Sequence, residues 1–134
     1  MEIQWFSNSA DGIVTLYETN ITLNTVAANF FVNAYSTLIG FDKEHQTLII
    51  KCINKEEATS GSYKEHELHP ISIKKSYGRI NGKRLINTIS MFFPLDFSKK
   101  SLHKFPCEWN DLSKCLIVSL KEEIKWWIYL CCLY

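Results

Sequence analysis

The sequence predicts an α+β, mainly β fold made of two β-α-β-hairpin units. Three observations carry this: short apolar runs rich in β-branched residues divided by polar turns, an order of elements that recurs in both halves, and 46% hydrophobic against 22% charged residues. Collagen-like, disordered and polybasic-tail classes are excluded by that composition. The 134 residues fit one domain or two very small fused ones. A chain of this size buries about 68% of its unfolded surface without metal or disulfide staples.

Gly12 to Leu16 alternates apolar and polar positions and reads as a strand, which Asn20 to Leu23 continues in extended form. Asn24 or Thr25 can cap a helix, because a short oxygen-bearing side chain accepts from the orphan amides of the first turn. The helix is expected to run to about Tyr35, with Val26, Phe30, Ala34 and Ala27, Phe31 on one face. Thr37 to Phe41 and Thr47 to Ile53 flank the polar turn Asp42 to Gln46 and form a hairpin. Residues 54–67, with Ser60-Gly61-Ser62 at their centre, make a polar connector.

His69 to Lys74 reads as a strand with Pro70 at its start, where no ladder donor is needed. Gly78-Arg79-Ile80 and the turn-prone Asn81-Gly82 lead into Lys83 to Phe93, where Leu85, Ile86, Ile89 and Phe92 recur at helical spacing until Pro94. A strand over Lys104 to Trp109, a turn at Asn110 to Ser113 and a returning strand over Cys115 to Leu120 complete the second half. The first unit thus covers 12–53 and the second 68–123, with 124–134 an apolar tail. Leu48-Ile49-Ile50-Lys51 aligned on Leu116-Ile117-Val118-Ser119 is the best local match between them.

The near-neutral total conceals a division of charge. Residues 1–67 carry 4 Lys/Arg and 9 Asp/Glu, net −5; residues 68–134 carry 11 and 5, net +6. Either the halves attract each other, or the basic half faces a polyanion. Lys74, Lys75, Arg79, Lys83 and Arg84 fall within eleven residues, and Lys99, Lys100 and Lys104 follow with His103 among them. Cations that neutralise phosphates release condensed counterions and give affinity without sequence preference. Arg79, with a planar fork that donates twice to guanine, is the best candidate for reading a base. The competing reading of both clusters is a solvated surface.

Gly78-Arg79-Ile80 with its following helix, and Asp42-Lys43-Glu44 before Leu48-Ile49-Ile50-Lys51, resemble the half-barrel of the SpoVT/AbrB-type swapped-hairpin proteins, small bacterial transcription regulators and antitoxins. The resemblance covers most of 12–53 and, more loosely, 71–120. The proline that usually opens the family helix is absent, Asn81-Gly82 interrupts the β-pattern, and the usual Gly-Asp step appears as Gly40-Phe41-Asp42. The resemblance implies two units interlocked in one small AbrB-like barrel, either within one chain as a pseudo-dimer or across chains, in a bacterial or phage regulator that binds double-stranded DNA without enzymatic activity. The alternative is a protein-interaction or antitoxin-like module that binds no nucleic acid.

No local motif sets a Ser or Cys nucleophile beside a His and an acid, and no glycine-rich loop cradles phosphate. No cofactor is expected. A hydrolase assembled in space from His45, His66, His69 and His103 is a third possibility that only geometry decides. His66 and His69 stand three apart with Pro70 behind, unlike a zinc-protease helix, and Asp42 with Glu44 lacks the ligand spacing of a calcium loop; no metal site is expected. Cys52, Cys107, Cys115, Cys131 and Cys132 contain no CxxC pair and read as reduced, mostly core residues. The first residues lack a basic and apolar secretory pattern, so a cytoplasmic protein is expected and the sequon Asn20-Ile21-Thr22 reads as incidental. Nine apolar residues, Trp126 to Tyr134, are fewer than the roughly 20 of a membrane-spanning helix. They suit a buried final element, a surface for self-association or a protein partner, or an extension irrelevant to the fold.

Overall fold

A computed structural model describes residues 11–125 together with Ile3. The apolar tail from Trp126 to Tyr134, with Cys131 and Cys132, lies outside the described residues.

The chain is mainly β. Alternating Ile13–Tyr17 forms β1 and Asn20–Asn24 forms β2, followed by helix α1 (Thr25–Asn29) and the hairpin β3 (Ser36–Asp42) and β4 (Thr47–Ile53). A short helix α2 (Lys55–Thr59) and a 3-10 turn at Glu65–Glu67 lead to β5 (Leu68–His69), β6 (Ser72–Ile73) and β7 (Tyr77–Asn81). Helix α3 (Lys83–Phe92), β8 (Leu102–Asn110), β9 (Cys115–Ser119) and a 3-10 turn at Leu120–Glu122 complete it. The strands form one antiparallel sheet in the order β5-β3-β4-β9-β8-β1-β2-β7-β6. Its two ends, β5 and β6, are separated in the chain only by Pro70 and Ile71, so the sheet curls back on itself as a half-barrel.

The concave side of that curl is the core. Period-two alternation sends Val14 and Leu16 of β1, Ile21 and Leu23 of β2, Leu48 and Ile50 of β4, Phe105 of β8 and Leu116 and Val118 of β9 inward, all essentially inaccessible to solvent. Ala27, Ala28 and Phe31 from the α1 region, with Ile86 and Ile89 of α3, complete the cluster. Gly78 explains itself here. A Cβ on it would lie 3.0 Å from Ile73 Cδ1 and 3.3 Å from Ala28 Cβ, so α1 packs closely on the bare backbone of β7, and a side chain there would push Ile73 and Ala28 aside.

The expected first helix is shorter than its apolar spacing suggests, ending at Asn29 and not near Tyr35. Phe30 leaves the helical face to stack on Trp109 of β8 at 4.8 Å, while Phe31 enters the core and meets Trp109 edge-on. Two partners from the far end of the chain outweigh another helical turn. The expected strand over His69 to Lys74 is likewise divided at Pro70: its first part pairs with β3 and its second with β7. The polar connector holds α2, capped where the Asn54 side chain accepts from the Glu57 amide and the Glu57 carboxylate reaches back to the Asn54 amide. Strand β8 begins two residues earlier than its own pattern suggests, because Leu102 and His103 pair with Tyr17 and Leu16.

Asn24 ties these parts together. Its Oδ1 accepts from the amides of Ala27 (3.1 Å) and Ile13 (3.0 Å), and its Nδ2 donates to the Asp11 carbonyl (2.8 Å). One side chain therefore caps α1 and fixes the start of β1. Asn24→Ala is expected to cost about 2 kcal/mol, the upper end for loss of an N-cap, read as a lower urea midpoint. A cost below about 0.5 kcal/mol would show that these bonds do not hold the helix to the strand.

Candidate nucleic-acid interface

Residues paired directly across neighbouring strands point to the same face of a sheet. Lys104 of β8 pairs with Thr15 of β1, Thr15 with Thr22 of β2, Thr22 with Arg79 of β7, and Arg79 with Ser72 of β6. All five lie on the side of the sheet opposite their inward-pointing chain neighbours; Thr15 is buried there, so the solvent-accessible members are Lys104, Thr22, Arg79 and Ser72. The result is one polar row across five strands, with a cation near each end. At the usual strand spacing, Lys104 and Arg79 stand roughly 14 Å apart.

Arg79 is exposed, and its guanidinium lies 5.1 Å from the Tyr77 ring centroid, a cation–π contact that restrains the fork along the strand. Lys74 and Lys75 occupy the β6–β7 turn before Arg79; Lys83 and Arg84 open α3 after it. Five of the predicted cations thus follow the line of β7. Parallel rows fix the opposite end: Leu102 pairs with Tyr17, and Asn20 with Asn81, so Lys99 and Lys100 lie toward the same end of the strands as Lys83 and Arg84. Glu18, in the β1–β2 turn, is an exposed acid at that end.

Two shallow depressions accompany the cations. One, of about 320 Å3, is lined by Pro70, Ile71, Ser72, Arg79 and Asn81. The other, of about 360 Å3, is lined by Lys99, Lys100, Ser101, Leu102, Lys104 and Ile124. Lys100 has an internal partner: its Nζ is 3.4 Å from Glu123 Oε1. Glu123 also pairs with the Nδ1 of largely buried His103, while His103 Nε2 faces the Asp96 carbonyl at 3.0 Å and Lys125 Nζ lies 3.2 Å from Glu123 Oε2. Burial pushes the Glu123 carboxyl up, but the hydrogen bonds from His103 and Lys125 and the charges of His103 and Lys100 outweigh it, and its pKa falls below the ordinary value.

The histidines do not converge. His45 sits in the β3–β4 turn, His69 pairs with the opposite end of β3, His66 is in the preceding 3-10 turn, and His103 is on β8. Burial lowers the His69 pKa. Among the described residues, ligand atoms of Asp42, Glu44 and His45 lie within 4.8 Å of one another. Asp42 spends them on its own turn, accepting from the Glu44 amide (3.1 Å) and facing His45 Nδ1 at 2.8 Å; the His45 hydrogen bond lowers its pKa. Cys52, Cys107 and Cys115 are free and half-buried, less enclosed than core thiols. Burial and the neighbouring Glu108 push the Cys107 thiol up to about 11, and burial raises Cys52, so both are protonated near neutrality.

Counting cations along the chain finds the line on β7 and misses the row. Thr15, Thr22 and Ser72 carry no charge and no motif, and only strand register aligns them with Lys104 and Arg79. Glu123, the acid set against Lys100, is twenty residues from His103 and has no local signature. Among the described residues, no helix is long and apolar enough to cross a membrane. No family model, curated protein or solved structure matches the chain.

Proposed function

We propose that the chain is a non-enzymatic, AbrB-like regulator, a tandem pair of swapped-hairpin units that binds double-stranded DNA on the convex face of β8-β1-β2-β7-β6. The observation that carries this is the polar row from Lys104 to Ser72, flanked by Lys74, Lys75, Lys83 and Arg84. Hydroxyl and cationic groups in register suit a phosphate backbone, which takes hydrogen bonds from Ser and Thr as well as from Lys and Arg.

The tandem reading is supported by equivalent bonds in the two halves. Asp42 and Asn110 each accept, through side-chain oxygen, the amide three residues on, at His45 and Ser113. Gln46 and Lys114, each directly before a returning strand, have positive φ of 50° and 55°. The Gln46 carbonyl accepts from Leu120 N, and the Lys114 carbonyl accepts from Cys52 N. Strand β8 pairs with β1 as β3 pairs with β5, and the hairpin β1–β2 corresponds to β6–β7. In that correspondence Thr22 is the counterpart of Arg79, and Ser36 of Lys104. Only the second unit is charged for DNA, so the pseudo-dimer presents one contact surface.

The first turn of α3 adds a physical argument. It carries Lys83 and Arg84 and no acid, against a dipole that disfavours cations at a helix N-terminus. A phosphate beside them reverses the sign of that interaction.

Fluorescence anisotropy of a labelled random duplex tests the proposal. Four phosphate contacts give a log–log salt slope near −3.6, an affinity loss on the order of a hundredfold between about 50 and 200 mM salt. A folded protein that binds no duplex at low salt overturns it. That outcome turns the reading to a protein-interaction or antitoxin-like module, which one observation favours: Met91 and Phe92 are 82% and 44% exposed on α3. Phe92 lines an apolar cleft of about 260 Å3 between α3 and the β3–β4 hairpin.

A further inference from the structure

Beyond β9 the described residues, through Lys125, stay against the sheet. The chain turns through Leu120–Glu122, with Leu120 buried and bonded to the Gln46 carbonyl, then returns to the edge of β8, where the Ile124 amide donates to the Lys104 carbonyl at 2.7 Å. Ile124 and Lys104 form an isolated antiparallel bridge. Between these anchors Glu123 meets Lys100, His103 and Lys125 together. The segment thus sets a carboxylate against Lys100, one of the residues that line the Lys99, Lys100 and Lys104 depression, and Ile124 forms part of its wall.

We propose that residues 120–125 are an autoinhibitory acidic strap, in which Glu123 takes the place of a ligand phosphate on Lys100, at the edge of the interface, and is displaced when the polyanion binds. This rests on the DNA-binding reading above. A carboxylate and a phosphate oxygen compete for the same ammonium donors, so one excludes the other at Lys100. Among the described residues the strap holds by two backbone hydrogen bonds, at Leu120 and Ile124, by the buried Leu120 side chain and by the Glu123 contacts. A bond set of that size opens locally without unfolding the core, which is what a displaceable contact requires. The strap also changes what the second cluster is. Lys99 and Lys100 become a conditional extension of the site, engaged after Lys104 and the line of cations on β7 have captured the ligand.

The experiment compares the wild-type chain, Glu123→Gln and Ile124→Pro, with the labelled duplex and inorganic tripolyphosphate as probes. Glu123→Gln removes the competing charge; Ile124→Pro removes the amide that bridges to Lys104 and leaves every charge in place. Both variants are expected to bind duplex about fivefold more tightly than wild type, the scale of a partly exposed ion pair. In the wild type, displacement of Glu123 from Lys100 is expected to carry the rest of the strap with it, so hydrogen exchange at the Ile124 amide should accelerate when duplex is added. Wild-type binding with unchanged affinity in both variants and an Ile124 amide that stays protected overturns the strap and leaves the DNA reading intact. Tighter tripolyphosphate binding by both variants, with no duplex binding by any form, overturns the DNA reading and retains the strap as a guard over a smaller anion site. No binding of either probe overturns both.

Discussion

Phe105→Ala is expected to destabilise the protein by about 4 kcal/mol, within the usual range for truncating a buried phenylalanine. Phe105 is fully buried at the middle of β8, pairs with Val14 of β1 and meets the Phe93 ring edge-on at 6.4 Å. Its strand also pairs with β9 through Cys107 to Asn110, so β8 joins the two parts of the sheet. Truncation removes apolar contact on both sides and opens a cavity that three hydrogen-bonded strands cannot collapse to fill. In a thermal melt the loss appears as a fall in Tm of roughly 15 °C. Phe105→Leu, which keeps most of the volume, should lose less than about half as much. Leu112, 99% exposed in the β8–β9 turn, is the control, and Leu112→Ala should stay within about 0.5 kcal/mol of wild type. Equal effects at 105 and 112 would contradict the burial on which the half-barrel rests.

Where local pattern and tertiary partner agree, the elements were legible in the sequence. Strand β2 alternates strictly, and Val14 and Leu16 of β1 and Leu48 and Ile50 of β4 keep the same period, because one side of each strand faces the core, and α3 ends at Phe92 because Pro94 follows. Where they disagree, the partner prevails. The apolar positions from Val26 to Ala34 suit a longer α1, but Trp109, some eighty residues away, draws Phe30 and Phe31 out of it. Helix α2 was legible: Asn54 and Glu57 have capping-box spacing, but a charged surface passage with a central glycine outweighs it in a reading based on composition. The division of β5 from β6 has no local cause except Pro70, because it reflects two different neighbours, β3 and β7. The site divides in the same way. Its charges are visible as residue types, whereas their alignment with Thr15 and Thr22 depends on pairings between residues up to about ninety positions apart.

The combined substitution Arg79→Thr and Lys104→Ser bears most directly on the proposed interface, because under the proposed tandem correspondence it gives the second unit the residues of the first, Thr22 and Ser36. If both cations meet the DNA backbone, the salt slope should fall by about 2 and the affinity at low salt roughly thirtyfold. Neither side chain belongs to the buried core, so the melting temperature should stay within the shift of a surface substitution, about 0.5 kcal/mol. Loss of binding with unchanged stability is the signature of a contact surface; loss of both would assign the two cations to the fold. The single variants separate their roles. Lys104→Ser should weaken all duplexes alike and lower the slope by about 1, as removal of a phosphate contact does. Arg79→Thr should lower the slope no more than that, yet flatten any preference among duplexes of different sequence, because a bidentate arginine at a guanine edge carries about 1–3 kcal/mol of discrimination. A salt slope unchanged in the double variant would move the DNA surface away from the convex face of β8-β1-β2-β7-β6.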